Sequence, residues 1–104
     1  MDQNRAIAVT RRYIDKVLLK NQNISQVWLF GSTAKGTRAE DSDIDLAFIL
    51  KDNSKSFEKE VELMTLRQGD ETAIEPHLFN NEDLDSGLPL VHQILTFGYL
   101  IDRK

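Results

Sequence analysis

Cysteine is absent from this chain. That excludes a disulfide framework, a thiol nucleophile and any Cys-ligated zinc or iron–sulfur centre, and it fits a reducing cytoplasm. Proline (2) and glycine (5) are sparse, and no Pro/Gly/Ser-rich linker, low-complexity segment or internal repeat divides the chain. Long apolar runs are missing too. The longest, Leu46-Ala47-Phe48-Ile49-Leu50, falls far short of the roughly 20 residues that cross a bilayer. Residues 1–12 lack the apolar core of an export signal, so neither membrane nor secretion is expected. Nor is there a basic excess. Lys and Arg total 13 against 17 Asp and Glu, for a net charge of −4, the reverse of a general nucleic-acid binder's footprint. The one basic loop runs from Lys35 to Arg38.

What is present suits a folded domain. At 104 residues and 40% apolar content, residues 1–104 are expected to form a single domain that buries roughly 60–70% of its unfolded surface. That allows one sheet and a few helices, with no separate lid or substrate domain. Residues 4–21 carry Ile7, Ile14, Val17 and Leu18 at helical spacing, and Asn21-Gln22-Asn23 stops that helix. Residues 26–31 read as a buried strand ending at Gly31-Ser32. Thr33 to Gly36 suits one helical turn, and a polar loop follows from Thr37 to Ser42. A second strand is expected over 43–50, apolar on both faces at its end as a central strand is. A helix over 55–68 follows, with Phe57, Val61 and Met64 on one face and Gly69 as its stop.

Residues 73–79 predict a third strand, at a sheet edge or irregular because Pro76 cannot donate to a ladder. Asn80 with Asp83 suggests the cap of a short helix ending at Gly87. Pro89 opens a last helix, about 88–97, with Gly98 as its stop, and Tyr99 to Asp102 suits a short closing strand. The expected class is α+β: an α/β sandwich with a small mixed sheet of three or four strands flanked by helices.

The chemistry concentrates between Gly31 and Asp45. Asp43 and Asp45 are two apart on a strand and so share a face. Neighbouring carboxylates repel unless a proton or a cation lies between them, and oxygen ligands favour Mg²⁺ or Mn²⁺. A strand ending in glycine lets backbone approach a ligand closely, and a helical turn opening at Ser32 aims free N–H groups at a phosphate. A third carboxylate is needed, and two residues compete for the role. Glu75, in the next strand, is preferred over Asp70, which lies beside Gly69 in a turn and is held less firmly. With two metals, both the attacking oxygen and a triphosphate can be served in an in-line displacement.

Gly31-Ser32-Thr33-Ala34-Lys35-Gly36 followed by Ser42-Asp43-Ile44-Asp45-Leu46 resembles the signature of the minimal nucleotidyltransferases of the DNA polymerase β-like superfamily, and the order of elements resembles theirs over nearly the whole chain. Glu75 stands where many members have Asp, and Pro76 directly follows it. The resemblance implies that Asp43, Asp45 and Glu75 hold two Mg²⁺ ions, with Mn²⁺ as a substitute, and that Glu75 helps activate the acceptor hydroxyl. It implies that Gly31 and Ser32 contact the β- and γ-phosphates, while Lys35 and Arg38 neutralise the departing pyrophosphate. Attack at the α-phosphorus then transfers a nucleoside monophosphate, AMP from ATP.

Minimal members often accompany small helical HEPN proteins, many of them toxin ribonucleases, and can act as antitoxins by adenylylating them. The implied acceptor is therefore a hydroxyl, such as that of a tyrosine, on a HEPN partner. A catalytically inactive module that covers its partner sterically is the alternative, and transfer to a small molecule is a third. His77 shares the face of Glu75 and either lines the site or is structural. His92 is expected at the surface, and Trp28, Phe30 and Phe48 in the core. The apolar residues from Leu88 to Phe97 suit core, partner or homo-oligomer contacts.

Overall fold

A computed structural model describes residues 1–39 and 41–101. Helix α1 (Gln3–Lys20) begins where the Asp2 carboxylate accepts the Arg5 N–H at 2.7 Å, an N-cap interaction. Its buried stripe is Ala6, Val9, Thr10, Tyr13, Ile14 and Val17, the i, i+3, i+4 pattern of one helix face. Ile7, expected on that face, lies at its exposed margin. Strand β1 (Ile24–Phe30) runs directly into the short helix α2 (Gly31–Lys35). The chain then returns along β2 (Ile44–Leu50), antiparallel to β1, with Phe30 opposite Asp45. Asp43 therefore lies one residue before the strand rather than in it.

Helix α3 (Phe57–Thr65) is shorter at both ends than the expected 55–68, because Ser56 caps its start and Leu66 its end. Gly69 does not stop it. Gly69 instead opens a 3₁₀ turn, Gly69–Ala73, that leads into β3 (Ile74–Asn80). The face of α3 is also corrected: Leu63 is its buried residue, and Phe57 is 75% exposed, with Val61 and Met64 exposed as well. After β3 comes a second 3₁₀ turn, Asn81–Asp85, capped reciprocally by Asn80 and Asp83. Helix α4 (Pro89–Phe97) and strand β4 (Tyr99–Leu100) follow. The part of the closing strand expected at Asp102 lies outside the described residues.

The sheet order is β3-β2-β1-β4, with β2 and β3 parallel and the other pairs antiparallel. Pro76 thus sits on an edge strand, where a missing N–H is tolerated. Among the described residues the four strands and four helices make the expected α+β fold. Alternation along β2 divides the interior. Leu46, Phe48 and Leu50 face α1 and α3, joining Val9, Tyr13, Val17 and Leu63. Ala47 and Ile49 face the other way, joining Val91 and Ile94 of α4, Phe30 and Phe79, with Trp28 packed against them. Asp45 lies on this second face, one alternation before Ala47.

Acidic residues at the turn before β3 tie it to α1. Glu71 is 1% exposed, yet it is well satisfied. Lys16 Nζ donates to it at 2.6 Å, Arg12 Nε at 2.7 Å and the Gln68 backbone N–H at 2.9 Å. Asp70 accepts from both Arg5 and Arg12. Burial by itself pushes the Glu71 carboxyl up, but Lys16 and Arg12 outweigh it and hold the group below its ordinary value. Arg12, then Arg5, hold Asp70 down likewise.

Depressed carboxyls stabilise the fold above their unfolded pKa, and that contribution fades as pH falls through the folded one. Urea unfolding should therefore show stability declining as pH drops below about 4.5, the ordinary Glu value. Glu71→Gln should flatten that acid limb. At neutral pH it should cost about 1–3 kcal/mol, less than a fully buried pair because Arg12 is half exposed.

Candidate active site

The parallel β2–β3 ladder sets Asp45 beside Glu75 and Ala47 beside His77. Side chains two apart on a strand share a face, so Glu75 and His77 project on the side of Asp45. One donor atom each from Asp45, Glu75 and His77 lies within 4.8 Å of the other two. His77 Nε2 is 3.6 Å from Asp45 Oδ1. It is buried without a hydrogen-bond partner, while the imidazole packs on Phe30 with ring centroids 5.2 Å apart. Two carboxylates and an unpaired imidazole nitrogen fit a divalent cation. Paired buried nitrogens are the norm; this one has the Asp45 carboxylate beside it, beyond hydrogen-bond range.

Gly31 closes the other side of the group. Its φ of +73° is one that L side chains rarely adopt. A Cβ built there would collide with Asp45 Oδ2. The carboxylate therefore occupies the space that any side chain at position 31 would take. The start of α2 also leaves unpaired backbone N–H groups beside Ser32, since the first turn of a helix has no internal acceptors for them.

The sequence-expected residues divide as follows. Asp45 and Glu75 converge. Asp43 is exposed ahead of β2 and is outside the group that converges with them. Asp70, the rival to Glu75, is engaged by Arg5 and Arg12 at the α1 clamp. Lys35 lies at the end of α2 with its ammonium 5.3 Å from the centre of the Phe97 ring, a cation–π contact. Arg38 donates to the carbonyls of Met1 and Ser42 and so closes the loop that carries Asp43. His92 is exposed on α4.

The clamp partners Arg5, Arg12, Lys16 and Glu71 were missed as structural determinants. For the three cations the only sequence signal is basic residues along one side of α1, which is indistinguishable from a solvated helix face. Asp43 precedes the strand by one residue, a boundary that sequence alternation does not resolve.

Comparison with known proteins agrees with the fold. The family model described as Polymerase beta, Nucleotidyltransferase matches residues 12–104. A crystal structure from Sulfolobus solfataricus, provisionally described as a nucleotidyltransferase, superposes with a TM-score of 0.71 at 19% identity, covering 94% of this chain and 80% of that one. A toxin–antitoxin crystallised with AMP-PNP gives a TM-score of 0.64 at 26% identity, over 86% of this chain and 69% of that one. A mutant of the toxin–antitoxin MntA-HpeT gives 0.57 at 21% identity, over 96% and 72%. No curated protein matches the chain.

Gly31→Ala tests the close approach. Strain at positive φ and the collision with Asp45 should lower stability by about 1–3 kcal/mol in urea titration. The same substitution should weaken Mn²⁺ binding, read by the spin-resonance signal of the free ion.

Proposed function

This chain belongs to the Polymerase beta nucleotidyltransferase family, and on that premise we propose that it transfers AMP from ATP to a hydroxyl on a partner protein. Residues 1–104 act as one minimal transferase domain, with Asp43, Asp45 and Glu75 as its acidic residues and Mg²⁺ as the ion they hold. The observation that carries this reading is the convergence of Asp45 and Glu75 from register-paired positions against Gly31. Divalent ions bound there would neutralise the phosphates and raise the acidity of the acceptor hydroxyl.

The remaining work falls to the chain itself. Asp45, with its carboxylate held against the Gly31 backbone, presents oxygens that do not have to reorganise, so positioning contributes much of the rate. Asp43 supplies a second carboxylate at the exposed mouth. Glu75 is exposed and accepts the acceptor's proton as its oxygen bonds to the α-phosphorus. The bond to the bridging oxygen breaks and pyrophosphate leaves. Ser32 and the free N–H groups of α2 hold the β- and γ-phosphates. Lys35 and Arg38 provide positive charge on the leaving side.

A protein acceptor is supported by exposed apolar side chains at the N-cap of α4 and on α4 and β4: Leu88, Leu95, Phe97, Tyr99 and Leu100. Apolar surface of this kind suits a partner or a second copy of the chain. The toxin–antitoxin relative at 26% identity supports an antitoxin role, with a HEPN-type toxin as partner. No helix among the described residues is long and apolar enough to cross a membrane, which is compatible with a cytoplasmic site of action. The position of Asp43 outside the convergent group favours a second reading, a module that retains the site but neutralises its partner by steric cover.

Purified chain, labelled ATP, Mg²⁺ and the product of the adjacent gene separate the two. Label should pass to the partner, and Asp45→Asn should reduce it by at least about 100-fold. An unlabelled partner held in a complex that Asp45→Asn leaves intact would instead establish the steric module.

A further inference from the structure

Resting on that reading, we propose that His77 is a nitrogen ligand of the same cation site and shifts its preference from Mg²⁺ toward Mn²⁺. The strand register creates the opportunity. His77 pairs with Ala47, whose small side chain leaves the imidazole room on the face shared with Asp45 and Glu75. Contact with Phe30, at a ring tilt of 57°, restrains the imidazole plane. What remains is Nε2, buried and unpaired, 3.6 Å from Asp45 Oδ1. That separation is too long for a hydrogen bond but suits two donors bound to a common ion.

A buried, unpaired ring nitrogen is costly, and coordination removes the cost. The chemistry then sets the preference. Mg²⁺ holds its waters and takes oxygen ligands, whereas first-row transition cations accept imidazole. Among them Mn²⁺ also suits a set that is otherwise oxygen. A purely carboxylate site lacks that bias. His77 therefore acts on which cation is bound, and Asp45 and Glu75 supply the charge that binds it.

The test reads coordination directly. Spin-echo modulation of Mn²⁺ bound to the chain should show a nitrogen coupling, which ¹⁵N-histidine labelling should convert to the ¹⁵N pattern. The chain has 2 histidines, so the labelled His92→Gln variant should keep the coupling and His77→Gln should lose it. His77→Gln should also weaken Mn²⁺ about tenfold or more while changing Mg²⁺, measured by competition, less than about threefold. If His77→Gln fails to fold, the labelled His92→Gln chain decides alone, because its coupling arises only from His77. Bound Mn²⁺ without the coupling, or no bound Mn²⁺, overturns the proposal. Mg²⁺-supported label transfer, measured in parallel, shows whether the transferase reading falls with it.

Discussion

The contact between the Gly31 backbone and the Asp45 carboxylate organises this molecule. It requires a residue without Cβ at the end of β1, in a conformation with φ of +73°. It also requires the β1–β2 register that puts Phe30 opposite Asp45. Given both, α2 starts immediately beside the carboxylate. The parallel partner strand then delivers Glu75 to the same place.

That delivery depends on how β3 is entered. The turn before it is secured to α1 by Glu71 and Asp70, which between them engage Arg5, Arg12 and Lys16. Nearby acids therefore take different work. Asp70 and Glu71 are neutralised by three cations and hold the register, whereas Asp45 and Glu75 face each other beside His77 with no lysine or arginine ion pair among the described residues. A site with surplus negative charge attracts a cation, and a clamp with its charges matched does not.

Much of the element order was legible because burial leaves periodic marks. The stripe of α1, the doubly apolar end of β2 and the proline-marked edge strand β3 each read directly from spacing and residue type. The face of α3 did not. Phe57, Val61 and Met64 have helical spacing, but they point outward and Leu63 packs inward. Periodicity identifies an apolar face without saying what covers it, and here the described residues leave that face in solvent. Similarly, Arg38 reads from the sequence as a loop cation for the leaving pyrophosphate, and only the folded chain shows it donating to the Met1 and Ser42 carbonyls.

By itself the sequence determined which residue types could carry chemistry and the strands that hold Asp45 and Glu75, but not that Asp43 stops one residue short of β2. Glycine-serine at a strand end and alternating aspartates are local features, set by spacing along the backbone. Tertiary structure decided which acids meet. Glu75 is thirty residues from Asp45 and joins it only because β2 and β3 run parallel in one register. Asp70 is turned instead to α1 by ion pairs that span more than fifty residues. The same pairing put His77 beside Ala47, where a small neighbour leaves its nitrogen facing the carboxylates. Convergence of this kind is a property of strand pairing and long-range charge matching, and neither is written in local spacing.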